Sequence, residues 1–206
     1  MLSAPSGAGK TTLARALVGR HDAVSFSVSA TTRARRGYER DGYDYFFVDD
    51  AEFERMIADG EMLEWAEVHG RKYGTPKRGI EEALKRGHIV VLDIDVQGAR
   101  QVREAFPGAV LVFVLPPSAE ELGRRLESRA SEHPAERRVR LNTALAELAA
   151  ATDFDYVVVN DDLDRAVGAL ENIIEAEKAR IERADDVEQT LDALRRELNG
   201  LLERSP

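Results

Sequence analysis

The chain has 206 residues, 43% of them hydrophobic, which is enough apolar material for a sizeable core and excludes a disordered segment. Its net charge of −9 leaves no basic excess to neutralise many phosphates, so broad nucleic-acid binding is excluded, while nucleotides need only a few cations placed locally. The absence of cysteine rules out a disulfide framework and a thiolate metal site; with no signal peptide and no apolar run that spans a bilayer, the cytoplasm is the expected compartment and no membrane partner is expected.

The first predicted element is a strand, and only Met1-Leu2-Ser3 is available for it. At strand rise that is about 10 Å, roughly half a usual strand, so either the strand is a stub or the sequence starts late, the reading preferred here. Ala4-Pro5-Ser6-Gly7-Ala8-Gly9-Lys10-Thr11-Thr12 follows. It has the G-x-x-x-x-G-K-[ST] spacing of a phosphate-binding loop, with Ala4 in the first Gly position. Gly7 and Gly9 let successive N–H groups turn toward phosphate oxygens, and a helix N-terminus adds positive potential there. In such a loop Lys10 reaches the terminal phosphates and the Thr11 hydroxyl holds Mg²⁺. The alternative is a Gly-rich turn before an ordinary helix.

The helix is expected over about Lys10 to Val18, with Gly19 near its end. Val24 to Ser29 alternates apolar and small polar residues and reads as a strand; Ala30 to Gly37 is a loop with Arg33, Arg35 and Arg36; Tyr43 to Val48 is an aromatic-rich strand. Asp49-x-x-Glu52 has the form of a helix start, with Phe53, Met56 and Ile57 on one face and Gly60 at the end. Met62 to Val68 and Arg71 to Tyr73 form an antiparallel pair around Gly70. Residues 31–75 are therefore a small mixed insertion. Beyond it, Pro76 suits the first turn of a helix that Gly87 stops. The continuous apolar runs at Ile89 to Asp93, Val110 to Leu115 and Tyr156 to Val159 suit strands buried on both faces. Helical patterns separate them, one opened by a Ser118–Glu121 capping box. Such alternation implies right-handed crossovers and a parallel sheet, with ligands at the carboxyl ends of its strands, where Asp93 and Asn160 stand. From Asp162 onward the chain reads as helix, with Asp185-Asp186 as a possible interruption. Leu191, Leu194, Leu198 and Leu201 then line one face, suited to packing on the chain's own domain or to a dimer contact.

Taken together, Ser3 to Lys10, Phe26-Ser-Val-Ser29, Thr31-Thr-Arg33, Tyr73-Gly-Thr75, Leu92-Asp-Ile-Asp-Val-Gln-Gly98 and Val159-Asn-Asp-Asp162 resemble the guanylate kinase family, in order and over nearly the whole chain. The resemblance implies an α/β fold: a P-loop core with a central parallel sheet flanked by helices (1–30 and 76–206), a GMP-binding insertion (31–75) and a helical lid at about 125–140. It implies phosphorylation of GMP, and dGMP with it, by ATP and Mg²⁺.

Site residues follow by the same resemblance. Residues Ala4 to Thr12 and Asn160 serve ATP, Asn160 by its adenine. Arg33 and Arg36 hold the GMP phosphate, which carries about two charges that guanidinium forks match bidentately, with Tyr45 and Tyr73 donating hydroxyls. Glu64 is a lone carboxylate in an apolar strand; it accepts the guanine N1–H and N2–H₂, with Thr75 donating to O6 and Ser29 at the same base. Asp95 lies on the GMP side and Asp93 on the Mg²⁺ side of that site, where Thr11 also stands. Arg125, Arg129 and Arg140 match the lid arginines that cross the phosphates, while Arg124, Arg137 and Arg138 suit a solvated helix face equally well. Ala130 stands where the family usually has Gly. The plainer readings are an exposed basic loop for the 33–36 arginines and helix capping for Asp93 and Asp95. His21, His69, His88 and His133 have no metal-ligand spacing.

The rival from another class is a guanylate-kinase-like protein-binding module. Such modules lose parts of the phosphate loop or the lid arginines, and this chain keeps Lys10, Thr11, Arg125, Arg129 and Arg140. A GTPase is disfavoured because Asn160-Asp161-Asp162 lacks the Asn-Lys-x-Asp form. A kinase with another acceptor is disfavoured by Glu64 with Thr75.

Overall fold

The computed structural model describes residues 1–68, 70–129, 134–183 and 187–202; the side chains of residues 127–129, 134–137, 140 and 202 are outside that description. His69, His133, Ala130 and the expected interruption at Asp185-Asp186 lie outside the described residues. Within them the elements run β1 (Leu2–Ser3), α1 (Lys10–Val18), β2 (Val24–Phe26), β3 (Ala30–Thr31), β4 (Phe46–Phe47), α2 (Asp50–Ala58), β5 (Met62–Val68), β6 (Arg71–Pro76), α3 (Lys77–Lys85), β7 (Ile89–Val91), α4 (Val96–Ala105), β8 (Val112–Leu115), α5 (Ala119–Arg129), α6 (Pro134–Ala149), β9 (Tyr156–Val159), α7 (Leu163–Lys178) and α8 (Val187–Leu202). The chain divides into two compact units, Met1–Val167 and Gly168–Pro206.

The first unit contains two sheets. In the core, β2 pairs with β7, and β1 with β8 and β8 with β9, all in parallel. Leu2 N–H donates to Leu92 O at 2.8 Å and Ile94 N–H to Leu2 O at 3.2 Å, which joins these pieces in the order β2-β7-β1-β8-β9. The short β1 thus sits between two neighbours, and its carboxyl end leads straight into the phosphate-loop sequence. Helix α1 packs on the edge strand β2 and α3 on its neighbour β7, and Leu92, Ile94, Ala99, Val102 and Leu111 form a buried cluster that includes the inner face of α4. The second sheet has the order β4-β3-β6-β5, with β3 and β4 parallel and the other pairs antiparallel. Ala30, Phe53 and Met62 form its own small core with α2. Phe53 is fully buried, a contribution of roughly 1.5–3 kcal/mol.

Several local expectations are met in atomic detail. Asp49 caps α2 by accepting from Glu52 N–H at 2.8 Å, and Ser118 Oγ accepts from Glu121 N–H at 3.1 Å at the start of α5. Two strands are shorter than the alternation predicts. The run from Val24 to Ser29 is split, because the chain crosses from one sheet to the other: Ser27 N–H still bonds Val91 O of the core, while Ser29 O already accepts from Phe46 N–H of the second sheet. The run from Tyr43 to Val48 keeps only β4, because Asp44 turns back to accept from Arg40 N–H at 2.7 Å and Tyr43 is stacked between Arg15 and Arg40. Pro76 ends β6 and caps α3 instead of lying in its first turn. Pro134 opens α6, within the expected lid segment.

In the second unit, α8 carries Leu191, Leu194, Leu198 and Leu201 on its surface, each about half exposed.

Candidate active site

The carboxyl ends of β1 and β7 and the facing side of the second sheet enclose an open cleft of about 770 Å³. Its floor is the loop from Ala4 to Gly9. Gly9 has φ 88° at the start of α1, a left-handed conformation that aims the first helical N–H groups into the cleft. A side chain there would also collide with Asn160, whose Nδ2 lies 2.5 Å from the Cβ position. Asn160 Nδ2 donates to Ala8 O at 2.8 Å, and Arg125 Nη1 reaches the same carbonyl at 3.3 Å. Both residues therefore brace the loop from behind.

Lys10 crosses the cleft floor. Its Nζ lies 2.7 Å from Asp93 Oδ1 and donates to Ile94 O at 2.5 Å, both at the end of β7. Thr11 Oγ1 donates to the other Asp93 oxygen, Oδ2. A hydroxyl and a carboxylate thus meet beside the loop. These are hard oxygen donors of the kind Mg²⁺ takes together with phosphate oxygens and water, so the residues fit that ion.

The opposite wall reads a different group. Glu64 of β5 lies in register with Thr75 of β6, and Thr75 Oγ1 donates to Glu64 Oε1 at 2.5 Å. Glu64 is only 5% exposed, and its carboxyl is pushed up to about 7, first by burial and then by the charge of Asp95; the Thr75 hydroxyl and Lys10 pull the other way. Its second oxygen fits against the start of α4 only because residue 98 is glycine: a Cβ there would lie 2.3 Å from Oε2. Asp95 caps α4 through Gly98 N–H at 2.8 Å. Ser29, Tyr45, Tyr73 and Asp95 all face the cleft. Tyr45 and Tyr73 meet edge to face at 6.0 Å, and burial followed by the charge of Asp93 raises the Tyr45 hydroxyl to about 12, so it stays a donor.

Two of the expected phosphate arginines are placed differently. Arg36 borders the cleft with its side chain 59% exposed. Arg33 is turned onto Glu39, a buried carboxylate, with Nη2–Oε1 at 2.7 Å and Nη1–Oε2 at 3.0 Å. Arg125 is held by Glu121 Oε1 at 2.6 Å. The side chains of Arg129 and Arg140, whose backbones lie in α5 and α6, are outside the described residues.

Four residues at the site carried no usable signal in the sequence. Glu39 sits in an irregular loop. Glu147 of α6 accepts from Ser6 N–H at 3.2 Å, and burial raises its carboxyl. Arg15 of α1 donates to Tyr43 O and to Asp44 Oδ1, each at 3.0 Å, tying α1 to the 40–44 loop. Gly98 belongs to the Leu92–Gly98 motif, which carries no hint of its contact to Glu64. In each case the partner is distant in sequence or in a segment without periodicity.

A family profile described as guanylate kinase matches residues 1–177. The chain is 50% identical over 184 residues to a guanylate kinase of Gluconobacter oxydans, covering 89% of this chain and 88% of that one. It is 48% identical over 185 residues to one of Alkalilimnicola ehrlichii, covering 90% and 91%. Among solved structures, that of guanylate kinase from Anaplasma phagocytophilum is similar with a TM-score of 0.76 and 36% identity, covering 93% of this chain and 92% of that one.

Proposed function

The chain belongs to the guanylate kinase family and converts GMP to GDP, and from that premise we propose that the phosphoryl donor is ATP, that Mg²⁺ accompanies it, and that transfer takes place across the cleft floor at Lys10. The observation that carries this reading is Lys10 itself: one ammonium spans from the phosphate loop to the end of the strand that leads to Asp95, on the side of Glu64 and Thr75.

Donor phosphates lie along the loop from Ala4 to Thr12, on the N–H groups of residues 7–12, with Lys10 on the terminal oxygens. Thr11 and Asp93 would hold Mg²⁺, which would neutralise phosphate charge. Asn160, besides bracing Ala8, borders the adenine. On the acceptor side the insertion 31–75 takes GMP: Glu64, Thr75 and Ser29 read guanine, and Arg36, Arg33, Tyr45 and Tyr73 take the phosphate. Arg125, with Arg129 and Arg140 from a lid at about 125–140, crosses the transferred group. Phosphoryl transfer asks little covalent chemistry of the protein, so positioning and charge stabilisation carry the rate, and no general base is assigned.

The test is ADP formation with ATP, Mg²⁺ and each of GMP, dGMP, AMP, CMP and UMP. Turnover with GMP and dGMP about 10⁴-fold or more above the other acceptors in kcat/KM is expected, the selectivity that a hydrogen-bonding base site reaches. Equal rates with AMP would overturn the assignment of Glu64 and Thr75, and no turnover with any acceptor would favour a binding module.

We further infer the cytoplasm as the compartment and no nucleic-acid partner, in keeping with the net charge of −9; among the described residues no helix is long and apolar enough to cross a membrane. The leucine face of α8 supports a homodimer contact, since four half-exposed leucines at spacings of three, four and three make a self-complementary stripe. A Leu194→Lys, Leu198→Lys variant is expected to sediment as a monomer and the parent chain as a dimer; a monomeric parent would remove this reading.

A further inference from the structure

We propose that Glu39 is a positioning residue for the GMP phosphate, acting through Arg33 and Arg36; the proposal rests on the reading of this cleft as the GMP site. Glu39 is 6% exposed in a loop whose other residues from Ala34 to Arg40 are exposed. A carboxylate buried in such a loop must be compensated, and here every compensating group belongs to the two arginines. Arg33 forks onto it through both Nη atoms, at 2.7 and 3.0 Å. Arg36 backbone N–H donates to Oε2 at 2.7 Å, and its Nη1 lies 3.6 Å from Oε1. Glu39 N–H donates back to Arg36 O at 3.0 Å, closing the turn. The carboxyl is held below its ordinary value: burial pushes it up, and the Arg33 fork and the Arg36 N–H outweigh that.

The consequence for the arginines is geometric. Arg33 Nη1 also donates to Ala34 O at 2.7 Å, so three of its five N–H groups are committed to Glu39 and Ala34, and the Tyr73 hydroxyl interacts with the same guanidinium. Its guanidinium plane is fixed from the side by Tyr45 and Phe47, whose ring centres lie 5.4 and 5.7 Å from Cζ. Arg36, by contrast, is anchored by its backbone and leaves its guanidinium half exposed at the cleft.

Glu39 would repel a phosphate and so is not itself a ligand. Its charge cancels one of two adjacent cations that would otherwise repel each other, and its shape sets the direction of both. Arg36 is then the mobile direct ligand, and Arg33 a rigid second edge.

The test separates phosphate recognition from base recognition. In Glu39→Gln the amide NH₂ faces the Arg33 fork, and the bidentate pair is lost. The KM for GMP is expected to rise about tenfold. The inhibition constant of guanosine, which has the base and no phosphate, stays within about twofold, as does the KM for ATP. Equal weakening of GMP and guanosine would mean that Glu39 only supports the fold of the insertion, and would overturn the proposal. So would an unchanged KM for GMP. Glu39→Asp keeps the charge and withdraws the fork by one methylene; it is expected to give the same split at smaller amplitude, and serves if the Gln variant does not fold. The parent chain is measured in parallel: absence of GMP turnover there would remove the premise itself, an outcome distinct from either failure of the Glu39 variants.

Discussion

Lys10→Ala is expected to lower kcat by about 10³-fold while leaving the chain folded, the scale seen when a preorganised cation or donor is removed from a phosphoryl-transfer site. In the ground state the ammonium is held by Asp93 Oδ1 and Ile94 O, so its direction is set before any nucleotide arrives. Negative charge grows on the donor's leaving oxygen only as the bond to phosphorus breaks, so the loss falls on kcat more than on the KM for GMP. Folding is expected to survive because Asp93 keeps the Thr11 hydroxyl and the lysine side chain is 18% exposed rather than part of the core. Steady-state kinetics with a melting curve on the same preparation checks both halves. A folded variant with kcat within tenfold of the parent would remove Lys10 from its assigned role.

Glu64→Gln is expected to raise the KM for GMP by about 10²-fold or more and to remove the part of its pH dependence that Glu64 contributes. Guanine presents two donors on one edge. A carboxylate accepts both, whereas an amide offers one acceptor and one donor, which leaves donor against donor in a buried site. The parent carboxyl, pushed up to about 7 by burial and by Asp95, must be ionised to accept. The KM for GMP in the parent therefore climbs as pH falls below about 7, approaching tenfold per unit. GMP's own phosphate titrates in the same range, and the ratio of parent to Gln variant isolates the Glu64 contribution.

Stability runs in the opposite sense. The folded carboxyl is raised above its unfolded value, so the proton it holds favours the folded state at low pH, and this contribution is lost as pH rises through about 7. At pH 8 the buried ionised group costs on the order of 3 kcal/mol, which Gln does not incur. The Gln variant should therefore melt higher than the parent at pH 8 and close to it at pH 4. The recognition residue is bought with stability, as is common at sites that must hold a charge ready.

Much of the fold was legible because it is written in short-range terms. The helix at Lys10–Val18 follows from its apolar spacing and the glycine before it, and α2 and α5 from caps three residues long. The strand β8 follows from a continuous apolar run buried on both faces; β9, read from the same kind of run, is instead an edge strand that leaves Val157 and Val159 exposed on one face. Less legible were the places where one run of residues serves two sheets, as from Val24 to Thr31, since alternation has no means of marking a crossing.

The sequence by itself determined the phosphate-loop geometry, the order of strands and helices, and the chemical types gathered for a nucleotide: lysine, hydroxyl, arginines and a lone carboxylate at Glu64. Tertiary structure alone decided how those groups are divided. Asn160 reaches Ala8 across a sheet order that brings β9 two strands from β1; Lys10 meets Asp93 because β1 lies beside β7; Gly98 makes room for Glu64 because α4 packs on β5. Arg33 and Arg36 are alike in sequence, yet one is clamped by Glu39 and the other borders the cleft. The physical reason is the same in each instance. Local pattern specifies the backbone a residue adopts, whereas the direction and charge state of its side chain depend on neighbours delivered by strand pairing from far along the chain.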